Sequence, residues 1–153
     1  MVIIDETSVE SIYYNATNRP TELDKHGIIK FVSSQFSSDT NSKENIRKAL
    51  DYATKERMSF GGFVIVQKWF GEIIGVSIVN HTGMEGYMPE NILVYIAVAE
   101  QHQNKGLAKE MIQQVLNYAK GEVAVYLRDR NDLIPAFEHL GFKKTIEGMI
   151  IVR

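Results

Sequence analysis

The fold of this chain is decided by the stretch Ile92-Leu93-Val94-Tyr95-Ile96-Ala97-Val98 and by the loop that follows it, Gln103-Asn104-Lys105-Gly106-Leu107-Ala108. The first stretch is apolar throughout and predicts a buried strand, and the second is a small-residue loop that opens a helix. A strand that turns into a helix in this way points free backbone N–H groups and the positive end of the helix dipole at one spot beyond the strand. The two stretches therefore predict a binding site for an anion.

The residues of the loop are suited to a phosphate group. Gly106 and Ala108 leave room for a pyrophosphate, and Lys105 and Lys109 add positive charge around it. The loop matches neither G-x-G-x-x-G nor G-x-x-x-x-G-K-[ST], so it lacks the glycines of a dinucleotide site and the hydroxyl of a nucleoside-triphosphate site. One alternative stays open here, in which Gly106 is only the small residue of a strand-to-helix turn.

A helix after the loop is predicted by apolar residues at helical spacing, with polar residues between them. The apolar positions are Leu107, Ala108, Met111, Ile112, Val115, Leu116 and Ala119. Gly121 is expected to end this helix.

The loop resembles the central signature of the GNAT superfamily of acyl-CoA-dependent N-acetyltransferases. That signature is [QR]-x-x-G-x-[GA], between the fourth strand and the next helix, and Gln103, Gly106 and Ala108 match it.

The residues after the helix resemble a second element of the same superfamily. Residues 123–127 are similar to its fifth strand, and Asn131 followed by residues 136–142 is similar to its N…A…YEKLGF ending. The resemblance covers about residues 60 to 153 and depends, before that, on the order of the elements.

The resemblance implies both a fold and an activity. The fold would be an α/β (α+β) domain with a mixed, largely antiparallel sheet flanked by helices and a splay between the fourth and fifth strands. The activity would be transfer of an acetyl group from acetyl-CoA to a primary amine of a small molecule by direct attack. Most of the catalysis would come from the placement of the amine against the thioester and from a fixed backbone N–H near the thioester oxygen.

The same resemblance implies the residues that contact acetyl-CoA. The pantetheine arm would pair with the backbone at Ile96 and Val98, and the rest of the cofactor would lie against the loop, the start of its helix and the end of the chain. The further positions are Gln103, Asn104, Lys105, Gly106, Leu107, Ala108, Lys109, Asn131 and Phe137.

The catalytic residues depart from the family pattern. The superfamily often uses a Glu in the fourth strand, or a water, as base, and a Tyr in the helix after the fifth strand as acid. The fourth strand carries no acid, the nearest being Glu90, and the Tyr position holds Phe137. The substitutes are Tyr95 and Tyr126, in the two strands that flank the proposed thioester channel, and Glu90. The alternative is that both tyrosines only pack and that Glu90 is only solvated.

Other acceptors and another class of protein stay open. A peptide or protein amine is the main alternative acceptor, and a non-catalytic acyl-CoA sensor is the alternative to an enzyme. Arg128 and Arg130 could hold a substrate carboxylate, or could be surface charges paired with Asp129 or Asp132.

Composition and charge argue against several classes of protein. The 153 residues are 44% hydrophobic, so residues 1–153 are expected to form a single domain. With 17 Lys and Arg against 19 Asp and Glu, the net charge is -2, and nucleic acid is not an expected partner. The chain has no cysteine, and its 4 histidines show no paired spacing, so no metal site is expected.

The sequence also gives an expectation about location. It has no basic-then-apolar opening and no apolar stretch of about eighteen residues, so neither secretion nor a membrane is expected, and the cytoplasm is the predicted location. A homodimer is compatible with the resemblance.

The first part of the chain is predicted to hold a strand and a helix. The strand is either residues 1–4 or residues 12–14, and nothing local decides between them. Thr21 and Asp24 have the spacing of an N-cap pair at the start of the helix. Its apolar face would comprise Ile28, Ile29, Phe31, Val32 and Phe36.

A second helix is predicted after a polar loop at residues 33–42, with Asn41 and Glu44 as its capping pair. Its apolar residues are Ile46, Ala49, Leu50 and Ala53.

The remaining elements are predicted to be strands and loops. Residues 63–69 and 73–79 would form a hairpin, and residues 81–90, with two glycines and a proline, a loop. Residues 143–152 would form a closing hairpin.

Overall fold

The computed structural model describes residues 9–36, 43–102, 106–127, 131–145 and 148–153. The strands are β1 (Val9–Tyr14), β2 (Gly62–Trp69), β3 (Glu72–His81), β4 (Asn91–Val98) and β5 (Val123–Val125). The helices are α1 (Glu22–Ser34), α2 (Lys43–Ala53), α3 (Leu107–Tyr118) and α4 (Ile134–His139), with short 3₁₀ turns at Glu100–His102 and Asn131–Leu133.

The five strands form one sheet in the order β1-β2-β3-β4-β5. The first three pairings are antiparallel and the pairing of β4 with β5 is parallel. A parallel pair needs a crossover, and α3 supplies it. The sheet is therefore mixed and largely antiparallel, with helices against it, as predicted.

The β2–β3 hairpin turns on two residues with positive φ, Phe70 at 50° and Gly71 at 80°. They connect Trp69 directly to its partner Glu72. Two residues of positive φ give the turn whose twist matches that of the two strands. Gly71 adopts this conformation at little steric cost, and Phe70 adopts it with an exposed ring.

Side chains alternate between two hydrophobic clusters, one on each face of the sheet. Phe63 and Ile65 belong to the cluster under α3 and α4, and Val64 and Val66 to the cluster under α1 and α2. Both faces of the central strands are thus covered, which explains why their sequences are almost continuously apolar.

A ring of three polar side chains fixes α3 to the first two strands. Ser11 Oγ donates to Gln67 Oε1 at 2.7 Å, Gln67 donates to Gln114 Oε1, and Gln114 Nε2 donates to Ser11 Oγ at 3.2 Å. Gln67 is buried, and these bonds satisfy its amide.

Thr21 begins α1 with the predicted cap. Its hydroxyl accepts the Asp24 N–H at 3.1 Å, and the Asp24 carboxylate accepts the Thr21 N–H at 3.3 Å. One residue further on, the buried ammonium of Lys25 binds Asp51 Oδ1 at 2.9 Å and Glu56 Oε2, and so joins α1 to the end of α2.

Several boundaries differ from the prediction. Residues 12–14 belong to β1, whereas residues 1–4 lie outside the described residues, as does Asn41 of the predicted capping pair. Helix α1 continues to Ser34, into the predicted loop, and Phe36 follows the helix. Strand β3 extends to His81, because this end pairs with Asn91 of β4.

The prediction of a closing hairpin at residues 143–152 is wrong for those of its residues that the structure describes. Residues 143–145 and 148–153 carry no strand, and the apolar side chains of residues 149–152 are exposed. Strand β5 is only three residues long, so the edge beside it offers few backbone groups to pair with. An apolar run therefore forms a strand only where an edge of sufficient length can pair with it.

Candidate functional site

A β-bulge in β4 changes the direction of two neighbouring side chains. Tyr95 is paired with Ile78 and Leu93 with Val79, so Val94 is an extra residue between the two pairs. Val94 and Tyr95 both pack on the α1–α2 face, whereas strict alternation would separate them.

Strand β5 leaves β4 at the bulge. The paired residues are Asn91 with Val123, Ile92 with Ala124 and Leu93 with Val125. Beyond them β4 continues to Val98, while β5 has ended. The predicted splay between the fourth and fifth strands is therefore present, and it begins at Val94.

A cavity of about 360 Å³ opens on the α2 side of this splay. It lies between β4, the chain after β5, and α2 with the loop that follows it. Its lining residues are Phe36, Asn45, Lys48, Ala49, Tyr52, Arg57, Asn80, Ile92, Leu93, Val94, Tyr95, Ile96, Val125, Tyr126 and Leu127.

Both predicted tyrosines line this cavity, from opposite sides of the splay. Tyr95, in β4, is half-buried, and its ring meets Phe36 edge-on with 5.7 Å between centroids. Tyr126 follows β5 and is 69% exposed. The structure thus brings the two phenols to one cavity, one in a packed wall and one at the solvent side.

Glu90 lies at the base of the two strands and does not line the cavity. Its Oε2 accepts the backbone N–H of Glu122 at 2.6 Å, just before β5 begins. The carboxylate also lies over Gly121, where an added Cβ would come within 2.5 Å of Oε2. Glu90 therefore ties the start of β5 to the start of β4.

Ile96 and Val98 occupy the part of β4 beyond the last β5 pair. Their side chains are buried in the cluster under α3, and their β3 partners are Ser77 and Gly75. Their backbone lies where the two strands diverge. That this backbone contacts a cofactor stays a prediction.

Gly106 is the N-cap of α3, has a φ of 75° and is exposed. Among the described residues no side chain caps this helix. The first backbone hydrogen bond of the helix runs from the Glu110 N–H to the Gly106 carbonyl at 3.1 Å. The N–H groups of residues 107–109 therefore have no acceptor within the helix. Three N–H groups at a helix start suit an anion.

The side chains near Gly106 divide into two groups. Lys109 is exposed, whereas Leu107 and Ala108 are buried in the cluster under α3. Ala108 therefore contributes close packing. The predicted cofactor residues Gln103, Asn104 and Lys105 lie outside the described residues.

Phe137 and Asn131 belong to the short elements after β5. Phe137, at the family's tyrosine position, is 2% exposed and packs edge-on against Phe142 with 5.0 Å between centroids. Its ring is part of the core. Asn131 opens the 3₁₀ turn that leads to α4.

Sequence reasoning missed the α2 wall of the cavity. Asn45, Lys48, Ala49 and Tyr52 follow one another at helical spacing, which places them on one face of α2. This spacing was the available signal, but it reveals a binding surface only once the sheet opposite is known. Arg57, the second cation of the lining, follows α2 in a loop and carried no signal of its own.

His102 is buried, with its ring edge-on to Trp69 and 5.5 Å between centroids. Arg128 and Arg130 lie outside the described residues.

No three His, Asp or Glu side chains gather as metal ligands in the described part of the chain. The described helices are also too short or too polar to cross a membrane.

A family model identifies the class of domain to which this chain belongs. The family model for the acetyltransferase (GNAT) domain matches residues 59–144, more than half of the chain. The protein belongs to this family. A search of curated proteins gave no match.

Solved structures share the fold over nearly the whole chain. An aminoglycoside N-acetyltransferase, AAC(6')-Iy, in complex with CoA has a TM-score of 0.63 at 14% identity, covering 99% of each chain. A ribosomal-protein-alanine N-acetyltransferase from Brucella melitensis biovar Abortus 2308 has a TM-score of 0.64 at 14% identity, covering 95% of this chain and 99% of that one.

A GNAT family acetyltransferase from Elizabethkingia anophelis with acetyl-CoA bound has a TM-score of 0.63 at 18% identity. It covers 92% of this chain and 80% of that one. At these identities the likeness shows the fold alone. The acceptors named for two of these proteins differ, so the fold does not identify the acceptor.

Proposed function

We propose that the protein transfers an acetyl group from acetyl-CoA to a primary amine of a small molecule. The observation that carries this proposal is the divergence of β4 and β5 at Val94, with a cavity of about 360 Å³ on one side of it. Neighbours of the same fold hold CoA or acetyl-CoA, which supports acetyl-CoA as the donor.

The donor would be anchored at two places. The N–H groups at the start of α3, with exposed Lys109, would bind the pyrophosphate at Gly106, and the predicted contacts at residues 103–105 and Asn131 would add to them. The backbone of Ile96 and Val98 would pair with the pantetheine arm. The thioester would then lie in the splay, at the edge of the cavity.

The reaction needs few side chains. The amine nitrogen attacks the thioester carbonyl carbon, the carbonyl oxygen takes up negative charge, and a backbone N–H of β4 stabilises it. The C–S bond then breaks, the CoA thiolate leaves, and the nitrogen loses its proton. Proximity of the two reactants supplies much of the rate.

We assign the role of general acid to Tyr95 or Tyr126, since both line the cavity. One of these phenols would donate a proton to the CoA thiolate as it leaves. Glu90 is a weaker candidate for the base, because its carboxylate is engaged with Glu122 and lies outside the lining. The acceptor would then lose its proton to solvent at the open side near Tyr126.

A small acceptor is favoured over a protein by the size of the cavity. A volume of about 360 Å³ is at the lower end of the range of small-molecule sites. One observation favours a second candidate function: Phe137, at the usual tyrosine position, is a core residue, so an acyl-CoA sensor that binds without turnover is the alternative.

The experiment is to incubate the protein with acetyl-CoA and a panel of small primary amines, and to follow thiol release together with the mass of the acceptor. Amine-dependent thiol release with an acetylated amine supports the proposal. Binding of acetyl-CoA without release, for every amine and for peptides with free amino groups, would favour the sensor.

A further inference from the structure

We propose that the acceptor carries a carboxylate as well as its amine, and that Arg57 and Lys48 bind this carboxylate. This inference rests on the proposed function and adds the chemical class of its substrate.

The charge of the cavity wall is positive. Lys48 and Arg57 are the two charged residues among the described lining residues, and no Asp or Glu is among them. The remaining walls are aromatic, aliphatic or amide. An anionic group on the ligand is therefore the natural counterpart of this wall.

Both cations are available to a ligand. Lys48 Nζ lies 3.8 Å from Glu44 Oε1, one turn earlier on α2, but these side chains are 55% and 79% exposed. An exposed pair of this kind holds its partners weakly. Arg57 is exposed and has no ion pair or side-chain hydrogen bond with another described residue.

The geometry of a guanidinium group suits a carboxylate. Its planar fork donates two parallel N–H bonds to the two oxygens, and a lysine ammonium adds a second charge. These cations lie on the α2 side of the cavity, and Tyr95 and Tyr126 lie on the side of the splay. A ligand that spans the cavity would place its carboxylate at the first side and its amine at the second.

The same charges select among amines. Two cations in the wall repel a cationic ligand that carries no anionic group. The carboxylate of the ligand offsets the repulsion that an amine alone would meet. A polyamine without a carboxylate would bind poorly in such a site.

The test compares amines that differ only in the carboxylate. The pairs are 4-aminobutyrate with propylamine, 5-aminopentanoate with butylamine, and 6-aminohexanoate with pentylamine, so that amine and carboxylate lie at opposite ends of each acceptor. Two readouts are taken on the full chain with acetyl-CoA: acceptor-dependent thiol release, and ligand-observed NMR binding in the presence of CoA. The variants are Arg57→Gln, Lys48→Gln and, as a control, Lys30→Gln, an exposed lysine of α1 outside the cavity.

The expected result is that at least one carboxylate-bearing amine has a kcat/KM at least about tenfold above its partner. Arg57→Gln should then raise its KM by about tenfold and leave kcat and the carboxylate-free amine little changed. Lys48→Gln should act in the same direction, and Lys30→Gln should change neither value.

Failure of the inference and failure of the proposed function give different results. An equal kcat/KM for both members of every pair overturns the carboxylate inference but leaves the proposed acetyltransferase activity in place. An equal loss of kcat/KM for both members in Arg57→Gln has the same meaning. Carboxylate-dependent binding that Arg57→Gln removes, without thiol release, supports the anion site and overturns the enzyme. Neither binding nor release for any of the amines overturns both.

Discussion

Leu93 and Val125 form the last residue pair that joins β4 to β5. The next residue, Val94, is the bulge, and the cavity begins beside it. A bulge bends its strand and interrupts the ladder, so one extra residue both ends the strand pairing and directs Tyr95 at the cavity. The position of the proposed thioester site is therefore set by the backbone of β4.

Tyr95→Phe and Tyr126→Phe test the source of the proton for the thiolate. The variant that removes the acid should lower kcat by about tenfold to a hundredfold and leave the KM for acetyl-CoA unchanged. Tyr87→Phe is the control, because Tyr87 is an exposed tyrosine outside the cavity. Full activity in both cavity variants and in the double variant would show that the thiolate leaves without either phenol.

Glu90 is expected to matter for stability more than for chemistry. Glu90→Ala removes the acceptor of the Glu122 N–H and should lower the free energy of unfolding by about 1–2 kcal/mol. Glu90→Gln keeps an acceptor oxygen and should keep most of the stability and the wild-type pH profile of kcat. Urea denaturation and a pH series of rates check both. A loss of about a hundredfold in kcat for folded Glu90→Gln would instead identify Glu90 as the base.

Lys25 should stabilise the junction of α1 and α2. Lys25→Met leaves the carboxylates of Asp51 and Glu56 without their shared cation, so the free energy of unfolding should fall by roughly 2–4 kcal/mol. Lys30→Met, at an exposed lysine of α1, should stay within about 0.5 kcal/mol of the wild type. Equal stability of the two variants would contradict the role of the buried ammonium.

The same ammonium predicts a pH dependence. Burial alone would lower the pKa of Lys25, but hydrogen bonds and charge from Glu56 and Asp51 outweigh it, and the pKa is raised above 10.5. The wild type should therefore keep this stabilisation below pH 10.5 and lose it as the pH rises through the folded-state pKa. Lys25→Met should lack this alkaline loss. Urea midpoints between pH 8 and pH 11 measure the difference.

Two glycines should respond in opposite ways to alanine. A Cβ at Gly62 would lie 1.9 Å from the Val79 carbonyl oxygen, which is backbone, so Gly62→Ala should destabilise the sheet by about 2 kcal/mol or more. A Cβ at Gly27, inside α1, would meet only Ile73 Cδ1 at 3.7 Å. Gly27→Ala should stabilise the protein by about 0.5–1 kcal/mol. Thermal melts of both variants would show the two signs.

The sequence predicted the elements whose signals are local. The helical repeat of α3 and the cap at Thr21 need only their own residues, and both were confirmed. The run from Ile92 to Val98 predicted β4, but a continuously apolar strand does not show which residue is extra, so the bulge at Val94 could not be read from it. The closing hairpin predicted at residues 143–152 needs an edge to pair with, and the three residues of β5 offer few backbone groups for it.

The candidate site was predictable only in part. Gly106 is placed by a local signature, and Tyr95 by its position in β4. Lys48 and Arg57 reach the cavity because α2 packs over the sheet. The helical spacing of Lys48 places it on one face of α2 but does not show what that face meets, and Arg57 carries no local signal.

The most direct test of the account is a calorimetric titration of acetyl-CoA into the wild type and three glycine variants. Gly106→Glu places bulk and negative charge at the start of α3, and Gly106→Ala tests the strain at a φ of 75° alone. Gly86→Glu is the matched control, because Gly86 also has a positive φ and open space around it.

We expect acetyl-CoA to bind the wild type and Gly86→Glu with the same Kd. Its affinity should fall at least about a hundredfold in Gly106→Glu, and less in Gly106→Ala. Unchanged affinity in folded Gly106→Glu, or no binding of acetyl-CoA to the wild type, would contradict the donor site at the start of α3.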